Sequence, residues 1–304
     1  MIPTDNYCPY DITSDPAEFG LVSEFINCKF GKLFIVRSEQ RNNVATLFLH
    51  GVGDTWSSWT PLLQAARNTV ELGDVILVDL PGFGRSENTL GHLRASVVGA
   101  ELLSIIEALG WNEVNLVGHS MGGFLALDIA ANGHPVIKSV SVISGTYLSI
   151  IESVQHPFKT LFRQPGTSLV YSSMILLAKL GSFARWLLQH SSRSKLFLKV
   201  LANSFAHPEQ LKRSVVDGLV SNIRPKAFTL AAQNGRQYEP ELEWGKITVP
   251  FKALFGATDR LVPIADMRRL DGSLNNIQTH CVADAGHFAH VERPKETLNW
   301  LYGK

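Results

Sequence analysis

The sequence predicts an α/β fold in which helices flank a mostly parallel central sheet and a helical cap is inserted into that core. Three observations support this prediction: short apolar runs alternate with helical stretches, the alternation stops for about a hundred residues, and a strand-like run then follows. Repeated strand–helix–strand units favour parallel strands joined by right-handed crossovers. The chain has 304 residues, of which 45% are hydrophobic, so it can bury a large core.

The predicted strands are short and rich in apolar residues. An opening hairpin is expected from Glu24–Phe30 and Lys32–Arg37, which meet around Phe30-Gly31. Later runs are continuously apolar or nearly so, which is typical of strands covered on both faces. These runs are Val44–Leu49, Val75–Val78, Val114–Val117, Val140–Ile143, Phe251–Phe255 and Thr279–Ala283. Helices are predicted between some of them, at Leu93–Leu109 and Gly122–Asn132.

The segment from Thr146 to Gly245 carries no clear strand signal and reads as helices and loops. We therefore predict a core formed by residues 1–145 and 246–304 and a cap formed by residues 146–245. The cap holds 12 Lys and Arg against 6 Asp and Glu, so its net charge is +6, and the total of +1 leaves −5 for the rest. A basic cap leaves open contact with an anionic substrate or a membrane surface.

Composition excludes several classes of protein. A net charge of +1 offers no basic field for nucleic acid. Three distant cysteines, Cys8, Cys28 and Cys281, argue against a disulfide framework or a zinc ribbon and fit a reducing compartment. No signal-like start and no apolar run of ~18–20 residues is visible, so we expect a soluble, cytoplasmic protein. Neither a metal cluster nor a phosphate-binding loop is recognisable, and we expect no cofactor.

The most informative motif is Gly-x-Ser-x-Gly, formed by Gly118, Ser120 and Gly122. It follows an apolar strand and precedes a helical run, which is the context that a nucleophile on a tight strand-to-helix turn requires. Such a turn strains the backbone of the nucleophile, and neighbouring side chains must be absent. The context predicts Ser120 as a nucleophile at the carboxyl edge of the sheet.

A serine nucleophile needs a base and an orienting carboxylate. His287 follows the run Thr279–Ala283, and Asp259 follows Phe251–Phe255, so both are expected at the same edge as Ser120. The chain order Ser120, Asp259, His287 matches one known arrangement of the catalytic triad. We expect His119 to pack or to shape the pocket, because adjacent side chains diverge on a tight turn. Five other carboxylates rival Asp259, namely Asp79, Asp266, Asp271, Asp284 and Glu292.

Taken together, these motifs resemble those of the α/β-hydrolase superfamily, in its capped, lipase- and esterase-like branch. The resemblance spans Leu47 to Pro294 and rests on five motifs in order: His50–Gly53, Asp79–Ser86, Gly118–Gly123, Gly256–Asp259 and Gly286–Phe288. It implies an oxyanion hole made by the backbone N–H groups of Val52 and Met121. The mechanism that follows as a hypothesis is acyl transfer through an acyl-enzyme on Ser120.

The resemblance leaves several activities open. Ser120 stands where dehalogenases and epoxide hydrolases of the superfamily carry aspartate, which argues against both. An ester, lactone or thioester of a largely apolar small molecule is the expected substrate. A carbon–carbon-bond hydrolase, a perhydrolase or a lyase remains an alternative, as does a ligand-sensing receptor on the same fold. Apolar cap residues between Met174 and Leu188 are candidates for the pocket wall, and the oligomeric state stays open.

Overall fold

The computed structural model describes residues 7–39, 42–67, 69–160, 165–180, 201–274 and 276–303. Within these ranges one sheet of eight strands runs through the molecule in the order β1-β2-β4-β3-β5-β6-β7-β8. The strands are β1 (Leu21–Cys28), β2 (Gly31–Ser38), β3 (Val44–Leu49), β4 (Asp74–Val78), β5 (Glu113–His119), β6 (Ile137–Ile143), β7 (Phe251–Gly256) and β8 (Ile277–Val282).

The sheet is mostly parallel, as predicted. The hairpin β1–β2 is antiparallel, and β2 also pairs antiparallel with β4. Strands β3 to β8 are all parallel. Their carboxyl ends therefore meet at one edge of the sheet, where ligand sites of open α/β sheets usually form.

Helices cover both faces of the sheet. They are α1 (Thr60–Ala66), α2 (Ala95–Ala108), α3 (Met121–Ala131), α4 (Leu148–Gln155), α5 (Pro157–Thr160), α6 (Pro165–Leu180), α7 (Arg213–Asn222), α8 (Pro225–Ala232), α9 (Pro240–Trp244), α10 (Ile264–Ser273), α11 (Ala289–Glu292) and α12 (Pro294–Tyr302). Short 3-10 segments lie at Pro16–Phe19, Trp56–Trp59, Pro208–Gln210 and Gln233–Gln237.

Two of the three hydrophobic clusters among the described residues lie on opposite faces of the sheet. In β3, Leu47 and Leu49 belong to the cluster that α2 and α3 cover, while Phe48 belongs to the cluster beneath α1 and α12. This alternation follows from the two-residue period of a strand. The continuous apolar run at Val44–Leu49 is thus explained by burial on both sides.

The chain between β6 and β7 contains helices and turns but no strand among its described residues. The division into a core of 1–145 and 246–304 and a cap of 146–245 stays a prediction. Of the expected pocket residues, Leu176 and Leu180 are 58% and 40% exposed, and Met174, Ile175 and Leu177 are half-buried. Phe183, Trp186, Leu187 and Leu188 lie outside the described residues.

Membrane-spanning helices were searched for over the same ranges. None of the helices there combines the length and the apolar character that crossing a bilayer requires. The expectation of a cytoplasmic location stays a prediction.

Candidate active site

Ser120 alone links β5 to α3, so the chain turns within one residue. Its backbone lies in the left-handed region, with φ 50° and ψ −116°. A non-glycine residue held there costs roughly 1–3 kcal/mol, so the surrounding structure must impose it. Two hydrogen bonds do so: the Ser120 N–H donates to the Ile143 carbonyl (3.1 Å), and the Thr146 N–H donates to the Ser120 carbonyl (3.0 Å).

The glycines around Ser120 are required by close packing of the backbone. A Cβ atom at Gly118 would lie 2.4 Å from the Gly122 carbonyl oxygen, and one at Gly122 would lie 2.0 Å from the Leu49 carbonyl oxygen. A Cβ atom at Gly51 would lie 3.1 Å from Ser120 Cβ. The loop after β3 is therefore pressed against the Ser120 turn.

This packing places the loop that carries Val52, one of the predicted oxyanion residues, beside Ser120. Val52 follows Gly51 directly, and Met121 is the first residue of α3. The first N–H groups of a helix lack intrahelical partners and carry partial positive charge. The arrangement suits a developing negative charge, and the oxyanion role of Val52 and Met121 stays a prediction.

His287 and Asp259 meet at the same edge of the sheet. His287 Nδ1 lies 2.8 Å from Asp259 Oδ2, and both side chains are at least 95% buried. The other oxygen, Asp259 Oδ1, accepts the backbone N–H groups of Leu261 (2.8 Å) and Val262 (3.0 Å). Two backbone N–H groups therefore hold one oxygen of Asp259, while its other oxygen contacts His287.

The rival carboxylates all have other partners. None of the described contacts of these groups reaches the His287 ring. Asp79 accepts the backbone N–H groups of Trp56 and Arg85, Asp266 contacts Ser149, and Asp271 contacts Thr279. Asp284 contacts His207 and Arg293. Glu292 accepts three backbone N–H groups and the Tyr7 hydroxyl.

A second group of buried residues lies beside this pair, and no motif or spacing in the sequence indicated it. His119 Nε2 lies 2.9 Å from the His287 carbonyl oxygen, and the rings of His119 and His287 are 5.0 Å apart. His119, Asp54 and His290 also bring one ligand atom each to within 4.8 Å of one another. In the described part of the chain, this is the group whose donor set would suit a metal ion.

Glu292 anchors the loop that carries His287. The fully buried carboxylate accepts the N–H groups of Gly286 (2.9 Å), Phe288 (3.1 Å) and Ala206 (2.8 Å), and the Tyr7 hydroxyl (2.9 Å). Burial is the main cause that raises the pKa of Glu292 from its ordinary value of 4.5 to about 7, against the opposing effect of these donors. Glu292 thus connects the loop that carries His287 to Tyr7 in the N-terminal part of the chain and to Ala206, which precedes α7.

We predict a pH-dependent difference in stability between the wild type and Glu292→Gln. A carboxyl whose pKa is higher in the folded than in the unfolded chain binds its proton more tightly when folded. Its contribution is therefore complete below about pH 4.5 and is lost as the pH rises through about 7. Over that window, the unfolding free energy of the wild type should fall by up to roughly 3 kcal/mol relative to Glu292→Gln.

Urea unfolding at several pH values measures this difference. Glu71→Gln is the control because Glu71 is exposed, and it should show no such slope. A wild type that gains stability over Glu292→Gln as the pH rises from 4.5 to 7 would contradict the prediction.

Met121, the residue after Ser120, is part of the wall of an open cavity. Among its described lining residues, the polar side chains are those of Asn88 and Asn234, and both amides are hydrogen-bonded to backbone groups. No charged side chain is among its described lining residues. These are Leu80, Pro81, Phe83, Asn88, Gly91, Leu93, Ala95, Val98, Met121, Phe124, Leu125, Ala227, Leu230, Ala231 and Asn234.

Similar proteins are hydrolases. A 2-hydroxy-6-oxononadienedioate/2-hydroxy-6-oxononatrienedioate hydrolase of Dechloromonas aromatica is 27% identical over 92% of this chain and 94% of its own length. Monoacylglycerol lipase ABHD6 of Mus musculus is 24% identical over 87% of this chain and 76% of its own.

Solved structures share the fold. An esterase from Exiguobacterium antarcticum superposes with a TM-score of 0.69 at 17% identity, over 92% of this chain and 98% of its own. A bacterial membrane phospholipase A superposes with a TM-score of 0.67 at 22% identity, over 93% and 85%. The sequence model of a family described as "alpha/beta hydrolase fold" matches residues 45–294. The chain therefore belongs to the α/β-hydrolase fold family.

Proposed function

We propose that this hydrolase cleaves carboxylic esters of largely apolar small molecules, with lactones and thioesters in range, through an acyl-enzyme on Ser120. The observation that carries the proposal is the buried hydrogen bond between His287 Nδ1 and Asp259 Oδ2, at the sheet edge where Ser120 is held in a strained turn. A serine hydroxyl is a weak nucleophile, and a histidine oriented by a carboxylate is the usual means of activating it.

In the proposed reaction, Ser120 Oγ attacks the ester carbonyl carbon while His287 Nε2 takes the hydroxyl proton. Asp259 keeps the His287 proton on Nδ1 and stabilises the imidazolium. The carbon–oxygen bond to the alcohol then breaks, and His287 returns its proton to the departing oxygen. Water repeats the sequence on the acyl-enzyme and releases the acid.

The backbone N–H groups of Val52 and Met121 are the proposed donors to the oxyanion. The carbonyl oxygen gains negative charge as Ser120 attacks, and donors already in place need no reorganisation at that moment. Losing one such donor typically costs about 2.7–4 kcal/mol of transition-state stabilisation. The Gly51 backbone packs beside Ser120, so that a Cβ atom added at Gly51 would lie 3.1 Å from Ser120 Cβ, and this supports the assignment.

The cavity beside Met121 supports an apolar substrate. Its described walls are aliphatic and aromatic, and both asparagine amides in them are already hydrogen-bonded to backbone groups. A carboxylate or another charge buried there would lose its hydration without gaining a partner, which is costly. An acyl chain or an aromatic ring would lose no hydrogen bonds on entering.

Hydrolysis of a carbon–carbon bond is the second candidate. The relative from Dechloromonas aromatica, whose name describes a dienedioate hydrolase, favours it through 27% identity over 92% of this chain. A dioate carries two carboxylates, and the described cavity wall offers them no cationic partner. We therefore rank the ester reaction first.

A series of p-nitrophenyl esters of increasing acyl length tests the proposal, beside a 2-hydroxy-6-oxo-dienedioate as the rival substrate. We expect ester turnover with an optimum beyond acetate, because the apolar cavity rewards each buried methylene by about 0.8 kcal/mol. Turnover of the dioate alone would favour the second candidate. Stabilisation by ligands without turnover of any substrate would favour a receptor.

We predict that Ala231→Phe shortens the preferred acyl chain. Ala231 lies on α8 in the cavity wall, and a phenyl ring there would fill part of the cavity. The kcat/KM for long esters should fall about tenfold or more, since each excluded methylene forfeits roughly 0.8 kcal/mol, while acetate hydrolysis is kept. Ala232→Phe is the matched control, because Ala232 is the next residue of the helix and does not line the cavity. An equal loss in both variants at every chain length would contradict the prediction.

A further inference from the structure

Asp54, His119 and His290 form a buried group, here called the His–Asp cluster, that the proposed reaction does not use. Asp54 lies in the loop after β3, His119 ends β5 and His290 belongs to α11. Their exposed fractions are 4%, 0% and 0%. The cluster thus joins the loop after β3, the Ser120 turn and the helix that follows His287.

The hydrogen bond of His119 fixes where its proton lies. His119 Nε2 is 2.9 Å from the His287 carbonyl oxygen, and a carbonyl only accepts, so Nε2 must donate. Burial lowers the pKa of His119, which favours the neutral ring. A neutral ring with its proton on Nε2 leaves Nδ1 as an acceptor.

The accepting atom His119 Nδ1 faces a second acceptor, the carboxylate oxygen Asp54 Oδ2. His119 Nδ1 lies 3.6 Å from Asp54 Oδ2, which is beyond hydrogen-bond distance. Neither atom has a hydrogen-bond partner among the described residues, and the same holds for both ring nitrogens of His290. A buried polar atom left without a partner costs about 1–3 kcal/mol. A bound molecule with two hydrogen-bond donors and one acceptor could form hydrogen bonds with Asp54, with His119 and with one ring N–H of His290 at the same time.

We propose that the His–Asp cluster encloses one water molecule and that His119, held by this water, is a positioning residue for His287. The water donates to Asp54 Oδ2 and to His119 Nδ1 and accepts from a ring N–H of His290. Buried water typically makes about three hydrogen bonds of this kind. The positioning role rests on the proposed function, whereas the water site does not.

The chemistry of the cluster favours water over a metal ion. A structural zinc site usually has four protein ligands, and the cluster offers three. A divalent cation would also add two positive charges beside a single carboxylate in a fully buried place, at a large desolvation cost. Water satisfies the same atoms without any net charge.

Ring ¹⁵N NMR of histidine-labelled protein tests the water site without reference to activity. We expect His119 to be protonated on Nε2 and unprotonated on Nδ1 near neutral pH. A proton on Nδ1 would overturn the proposal, because Nδ1 then donates to Asp54 directly. One equivalent of metal in the purified protein that disappears in His290→Gln would also overturn it.

Two amide variants test the positioning role. The longer side chain of His119→Gln can place an N–H near Nε2 and keep the bond to His287, whereas that of His119→Asn reaches only the position of Nδ1. We expect His119→Gln to keep kcat within a few-fold, and His119→Asn to lose kcat on the order of 10²-fold with KM unchanged.

Equal losses in the two variants that follow their melting temperatures would show a purely structural role and would overturn the positioning claim. If Ser120→Ala keeps full activity, the proposed function fails instead, and the NMR result still decides on the water site.

Discussion

Replacement of Ser120 by alanine should lower kcat for ester substrates by roughly 10⁶-fold and should abolish covalent labelling by a fluorophosphonate. The attacking oxygen is lost, while the turn that carries it is kept. Because φ is 50° at this position, serine and alanine meet the same backbone strain, so we expect little change in melting temperature. Single-turnover kinetics with a p-nitrophenyl ester and gel detection of the label measure both effects.

Ser144→Ala is the matched control for this experiment. Ser144 follows the neighbouring strand β6, has φ 43° and is fully buried, and its hydroxyl has no partner among the described residues. It shares the backbone strain of Ser120 but lies within the core. Labelling of Ser144→Ala should equal that of the wild type. Full labelling of Ser120→Ala would remove Ser120 from the proposed role.

The sheet was largely predictable because a strand buried on both faces appears in the sequence as a short, continuous apolar run. The run Val44–Leu49 was predicted to be a strand and is one, since alternate residues enter opposite clusters of the core. Where one face of a strand is less buried, the bounds shift: β1 begins at Leu21, three residues before the predicted Glu24. Its residues alternate between half-buried and exposed, so the apolar signal is weaker.

The residues near Ser120 were predictable to the extent that their position depends on strand ends. Asp259 and His287 follow β7 and β8, and parallel strands bring both residues to one edge. The sequence left five rival carboxylates because it does not show which oxygen reaches the imidazole. Only the tertiary structure shows that one oxygen of Asp259 is held by two backbone N–H groups while the other faces His287.

The anchor at Glu292 and the His–Asp cluster were not predictable from spacing. Tyr7 and Glu292 are 285 positions apart, and Asp54, His119 and His290 come from three separate segments of the chain. Such contacts depend on how loops from different crossovers stack at one edge. Composition alone likewise does not show which apolar residues of the predicted cap face inward, since Leu176 faces solvent.

Asp259→Asn should lower kcat about 10⁴-fold and leave the fold intact. The asparagine carbonyl can still accept the N–H groups of Leu261 and Val262, so the turn after β7 is kept. The amide nitrogen then faces His287 Nδ1 and donates where Asp259 accepted. Nδ1 must become the acceptor, the ring proton moves to Nε2, and His287 can no longer take the Ser120 proton.

Asp284→Asn separates this effect from the mere loss of a nearby charge. Asp284 is closer to His287 in sequence than Asp259 is, but its carboxylate contacts His207 and Arg293 rather than the His287 ring. Asparagine at 284 should therefore change stability more than kcat, whereas asparagine at 259 should do the reverse. Steady-state kinetics together with thermal melts of both variants measure the contrast. Equal kcat losses in the two variants would mean that Asp259 does not orient His287. A carboxylate that sets the tautomer of His287 should lower kcat when it is replaced, without lowering the stability of the fold.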